Sequence, residues 1–194
     1  MASLAIHKVI ADKYIDNNKI EDKVQFYEGT YFVDIVGDKY INHYSTFIKN
    51  DSYADKLCRK VDLVKFCAEH KIDTDFDKAY FLHLVTDYIF YTKYLLQFPI
   101  LQDLKNQEVA RQIVYNEYGM LNGYIEDRYG IDIEDLPESG RLRIKGQLNI
   151  MSVKDIDYII DYCASLDLDK VYDSVSKGDY GVFDNCKINI QEDK

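Results

Sequence analysis

Apolar residues recur along most of this chain at helical rather than alternating spacing, and the pattern predicts a succession of helices. Ile6, Val9, Ile10, Lys13 and Tyr14 share one side of a first helix over residues 3–17, with Ser3 placed as its N-cap. Residues 22–36 are mostly apolar, and Gly29 and Gly37 are expected to break them near the middle and the end. Residues 38–52 are irregular and polar, a loop or short helix. Leu57, Val61, Val64 and Cys67 predict a third helix over 53–70. The next segment, 76–98, is apolar on nearly all sides, so it is expected as a central helix covered all round by its neighbours. Pro99 ends it, because the residue before a proline avoids the helical region.

A longer, more charged helix is expected over 101–129, interrupted near Gly119 and Gly123 and capped by Gly130. Residues 131–150 are rich in turn formers, with a short extended piece at Leu142-Arg143-Ile144. Ser152 and Asp155 read as a capping box opening a helix to residue 166. A short helix over 168–176 and a polar tail follow. Strand signals are thin, and no repeat or Gly/Ser-rich linker divides the chain. The expectation is one all-α domain over 1–194, a compact bundle around the helix at 76–98.

Composition narrows the class of protein. In 194 residues there are 24 basic and 34 acidic side chains, a net charge of −10. That balance argues against long nucleic acids as partners, since a phosphate grip needs clustered Lys and Arg. A hydrophobic fraction of 47% excludes a disordered chain. No apolar run approaches the roughly 18–20 residues of a membrane span. The first fifteen residues are too polar for a secretory leader, so a soluble, cytoplasmic protein is expected. Cys58, Cys67, Cys163 and Cys186 lack metal-ribbon spacing and read as reduced thiols in or near the core. The 18 tyrosines accompany abundant Lys, Ile, Asn and Asp, as AT-rich codons produce, which accounts for them without an aromatic binding box.

The chemistry concentrates on histidine and aspartate. His83 and Asp87 stand four residues apart on one face of the most apolar helix, and no Lys or Arg follows there until Lys93. A buried carboxylate is costly unless paired or bound to a cation. Asp34 repeats the anomaly between Phe32, Val33, Ile35 and Val36, with His43 nine residues on. His7 lies on or beside the apolar face of the first helix, while His70 reads as an exposed helix end without a role. Imidazole and carboxylate together suit zinc, iron, manganese or nickel. The plainer alternative is a His–Asp hydrogen bond within the core.

These residues, in this order, resemble a family. A first-helix His, the G-x-x-x-x-D of Gly29 to Asp34, His43 and the helix AYFLHLVTD are similar to bacterial proteins related to zinc-dependent phospholipase C. That all-α fold is shared with single-strand-specific nucleases. The resemblance covers residues 1–98. It implies a metal site of Asp34, His43, His83 and Asp87, with Asp87 reaching toward a second ion shared with His7. It also shows departures. The chain starts Met-Ala where the secreted enzymes present a Trp, and it has no histidine after His83, so their full three-zinc set is excluded.

The function expected is metal-dependent hydrolysis of a small phosphoester. A bound divalent ion brings the pKa of water toward roughly 7, with Asp34 as ligand and candidate proton acceptor. Lys8, Lys13, Lys39 and Arg59 are candidate phosphate partners, each with an ordinary surface role as the alternative. The alternative function is a non-catalytic metal-binding or helical interaction protein on the same fold. A hydrolase calls for a pocket open to solvent above the four ligands; a binding protein calls for a closed site or an exposed apolar patch. Phosphate-loop, dinucleotide and nucleophile-elbow motifs are absent from the sequence.

Overall fold

A computed structural model describes residues 2–49, 57–99 and 107–188. Helix α1, Leu4–Asn17, starts where Ser3 accepts from the Ile6 N–H, and it buries Ile6, His7, Val9, Ile10 and Tyr14. Helix α2, Lys23–Ile35, is capped by Asp22, which accepts from Val24 and Gln25. It runs straight through Gly29, against the expected break. A Cβ on Gly29 would stand 2.2 Å from the Phe76 carbonyl oxygen, so glycine here permits a close helix crossing rather than ending the helix.

The chain then makes the short helix α3, Lys39–Asn42, and a two-stranded antiparallel hairpin. Strand β1, Ser45–Lys49, pairs with β2, Leu57–Val61, in the register Ser45 opposite Val61. The helix expected over 53–70 is corrected accordingly. Residues 57–61 are a strand, residues 53–56 lie outside those described, and only α4, Leu63–Glu69, is helical. Leu57 and Val61 fit helical spacing, yet pairing with β1 satisfies their backbone instead.

Helix α5, Asp75–Ile89, opens with a capping box between Thr74 and Asp77. Every residue from Ala79 to Asp87 is buried. The helix continues as a widened π-helical stretch, Phe90–Tyr94, and a 3₁₀ turn, Leu95–Gln97, so the expected helical segment 76–98 persists with altered winding. Helix α6, Gln107–Tyr129, passes through Gly119 and Gly123 without interruption; residues 101–106 lie outside those described. Gly119 is needed because Ile144 packs on it and donates its N–H to the Gly119 carbonyl at 3.0 Å. Residues 142–144 are therefore held by α6 and form no strand.

Helix α7, Val153–Ala164, buries Ile156, Ile159, Ile160 and Cys163. Its Ser152 makes no side-chain cap, which corrects the expected capping box, and the Ser152 N–H instead donates to the Tyr94 hydroxyl at 2.8 Å. Helix α8, Leu168–Val175, follows. The tail is less polar in place than in sequence, since Phe183, Cys186 and Ile188 are buried in the core. Around α5 pack α1, α2, α4, α7, α8 and β2, giving an all-α bundle with one small hairpin. Among the described residues no helix is long and apolar enough to cross a membrane. Cys67, Cys163 and Cys186 are free thiols, the last two buried; the Cys58 side chain lies outside the described part.

Candidate metal centre

The close crossing of α2 and α5 at Gly29 sets the site. One residue further along, the Thr30 carbonyl lies 2.8 Å from His83 Nδ1. A carbonyl only accepts, so Nδ1 carries the ring proton and Nε2 presents a lone pair. One turn on, Asp87 Oδ2 stands 3.6 Å from that nitrogen. Neither His83 Nε2 nor Asp87 Oδ2 has a hydrogen-bond partner, although both are buried. Two electron-rich atoms thus face each other inside a core where an unmet polar group is costly.

His43 and Asp34 complete the arrangement. Helix α3 and the turn after it carry His43 inward to full burial, and the next residue, Tyr44, takes the left-handed φ of 50° that redirects the chain into β1. That strain sits beside the site and is held by ring contacts of Tyr44 with Phe66 and Tyr80. Tyr80 also donates to the Asn42 carbonyl at 2.6 Å. His43 Nε2 lies 3.3 Å from Asp34 Oδ1 and 3.3 Å from Asp87 Oδ2. Asp34 Oδ2 lies 3.9 Å from His83 Nε2. Donor atoms at about 2.0–2.1 Å from a tetrahedral cation are separated by about 3.3–3.4 Å. Three of the four contacts lie within a few tenths of an ångström of that edge.

His7 closes the far side. Its ring stacks on His83 with centroids 3.6 Å apart and planes 5° from parallel, and Nε2 lies 3.2 Å from Asp87 Oδ1. The Ala2 N–H donates to the same oxygen at 2.7 Å. Burial, then the neighbouring His83, lowers the His7 pKa to about 4, so the imidazole is neutral near pH 7. Burial works to raise the Asp34 and Asp87 carboxyls, yet both are held below the usual carboxylate range. For Asp34 the imidazoles of His43 and His83 outweigh burial; for Asp87 the amino-terminal charge, His7 and His83 do so.

The structure brings His7, Asp34, His43, His83 and Asp87 into one cluster. Within it two groups can hold a metal ion, His7–His83–Asp87 and Asp34–His43–His83. Four of the five side chains are almost wholly buried, and only Asp34 reaches solvent, at 19%. His70 stands apart, stacked on Phe66 at the end of α4. Of the expected phosphate partners, Lys8 is committed to Asp12 and Lys13 to Asp161, while the side chains of Lys39 and Arg59 lie outside the described part. A cleft of about 380 Å³ lies elsewhere, between Tyr14, Lys78 and Asp167, and none of the five residues lines it.

Two participants gave no sequence signal. The Thr30 carbonyl and the Ala2 N–H are backbone groups that every residue carries, so no side-chain pattern marks them. Compared with protein-family models, curated proteins and solved structures, the chain has no significant match to any of them.

Proposed function

We propose that this protein binds a divalent cation in the His/Asp cluster and uses it to hydrolyse a small phosphoester. The observation that carries the metal reading is that His83 Nε2 and Asp87 Oδ2, both buried, face each other at 3.6 Å and neither has a hydrogen-bond partner. A cation between them turns a repulsion into two bonds. Two imidazoles and two carboxylates suit zinc first, with iron, manganese and nickel also suited. The order of these residues, and their resemblance over 1–98 to the zinc-dependent phospholipase C relatives, support the hydrolytic part of the reading.

When bound, the cation supplies Lewis acidity toward water and toward a phosphoryl oxygen. The protein's own groups do the rest. Asp34, ionised and the one cluster side chain that reaches solvent, takes a proton from the attacking water on its carboxylate. The Thr30 carbonyl keeps His83 in the tautomer that leaves Nε2 available. Buried His43 and Asp87 keep bulk water from the inner side of the site.

A second reading has its own observation. The cluster is closed except at Asp34, as in a metal-retaining protein without turnover. Ile35, Val36, Tyr40 and Ile41, exposed by 45–72%, stand in sequence beside it. Elemental analysis of purified protein, with the double variant His83→Ala/Asp87→Ala beside it, tests the metal. Near-stoichiometric ion lost in the double variant supports the site, and no ion in either after reloading rejects it. Turnover of bis(p-nitrophenyl) phosphate by loaded protein, lost in Asp34→Asn even when that variant is reloaded to the same ion content, supports the hydrolase, whereas loaded wild type without turnover supports the binding protein.

A further inference from the structure

The two candidate groups overlap at one residue, and the overlap decides how many ions they hold. Resting on the metal reading above, we propose that the cluster holds a single ion, on the side of Asp34 and His43. His7 is then a positioning residue for Asp87 and His83 rather than a ligand.

Lone pairs set the limit. Both groups draw on His83. Its Nδ1 is spent on the Thr30 carbonyl at 2.8 Å, so each group needs Nε2, and an imidazole nitrogen has one lone pair to give. Only one group can therefore be filled at a time. The Asp34 side offers more, because Asp87 Oδ2 lies 3.3 Å from His43 Nε2 and 3.6 Å from His83 Nε2. That brings four residues to one ion.

On the other side the donors are already spent. Asp87 Oδ1 accepts from the Ala2 N–H at 2.7 Å and meets His7 Nε2 at 3.2 Å. A carboxylate oxygen only accepts, so His7 Nε2 carries the proton of that bond and has no lone pair for an ion. A second ion there would displace both hydrogen bonds and find no claim on His83. What His7 does instead is geometric. Its Nε2–H fixes Asp87 so that Oδ2 turns to the ion, and its ring, stacked at 3.6 Å, fixes the plane of His83. Outer groups of this kind typically change metal affinity by about 10–100-fold.

The test is a titration of metal-free full-length protein with Co²⁺ and then Zn²⁺, reading bound ion per chain and the visible absorption of bound Co²⁺. The expected result is one ion per wild-type chain. His7→Phe should keep one ion and the same Co²⁺ bands, but bind it about 10–100-fold more weakly. His7→Gln, whose amide N–H can reach the same carboxylate oxygen, should recover most of that loss. Two ions per wild-type chain would overturn the inference while leaving the metal reading intact, and this count does not depend on any variant folding. A shifted Co²⁺ spectrum in His7→Phe would make His7 a ligand, and an unchanged affinity would remove its positioning role; either overturns the proposal. A wild-type chain that binds no ion rejects the metal reading, and this inference falls with it.

Discussion

Asp87 on α5 and Glu117 on α6 are buried to the same degree, 0% and 1% exposed, and the protein treats them in opposite ways. Glu117 has donors for both oxygens. Oε1 accepts from the Asn149 N–H at 2.7 Å and from Asn149 Nδ2 at 3.1 Å, while Oε2 accepts from the N–H groups of Met151 at 3.1 Å and Ile150 at 3.4 Å. It pins the segment leading into α7 and asks for nothing more. Asp87 is met on one oxygen only; the other faces imidazole nitrogens without a hydrogen bond. Burial alone therefore does not mark a functional carboxylate. What marks it is an acceptor atom for which the fold supplies no donor.

The sharpest way to break this contrast is Asp87→Ala. Removing one member of a buried charged network typically costs about 3–5 kcal/mol. Where the group also holds an ion, binding energy and folding energy are lost together. Metal content and thermal unfolding, measured on the same sample, should both fall. An Asp87→Ala chain that keeps its ion and its melting temperature would put Asp87 in the same class as Glu117.

Acidity should separate the two regions next. In metal-free protein the buried His7 takes its proton only at about pH 4, against about 6.5 when unfolded. Between those values the unfolded chain binds more protons, so stability is fully present above about pH 6.5 and declines as the pH falls toward 4. The shift corresponds to roughly 3 kcal/mol. Asp34 and Asp87, held below their usual range, act lower: their contribution is present above about pH 4 and is lost as the pH falls further. Urea unfolding from pH 7.5 to 4.5 should show the first decline in wild type and not in His7→Phe. Persistence of the full decline in that variant would assign it to other groups.

Glu117→Gln should do less, about 1–3 kcal/mol, since the amide keeps one acceptor for the N–H groups of Asn149–Met151 and orphans others. Its metal content should equal that of wild type. A lost ion in Glu117→Gln would show that the two carboxylates are coupled through α5 and α6, and the contrast would fail from the other side.

How much of this was legible in the sequence follows from where each signal resides. His83 and Asp87 announce themselves because helical spacing puts two polar groups on one face of an apolar segment. The same logic misread Leu57–Val61, whose spacing suits a helix but whose partner strand lies outside any local window. Gly29 looks like a breaker until α5 is seen to lie 2.2 Å from where its Cβ would be. Glu117 carries no sequence mark at all, since a glutamate in a charged helix looks solvated and its donors come from more than thirty residues away. Side chains that interrupt a pattern can be read ahead of the fold. Backbone donors and acceptors, which occur at every residue, cannot.

The smallest expected effect supplies the control for the histidines. His70 also lies among aromatic rings, with Phe66 stacked at 4.9 Å and Tyr80 at 6.0 Å, so by surroundings alone it could pass for a cluster member. Its ties to the fold are made by the backbone. The His70 N–H donates to the Phe66 carbonyl at 2.8 Å, and its own carbonyl accepts from Tyr172 at 2.7 Å. His70→Ala keeps both bonds and gives up one partly exposed stacking contact, a loss of about 0.5–1 kcal/mol. Metal content should be untouched, whereas His43→Ala, which removes a fully buried nitrogen 3.3 Å from both Asp34 and Asp87, should empty the site. Equal metal loss in the two variants would mean that general loosening of the bundle, rather than a specific ligand set, governs binding.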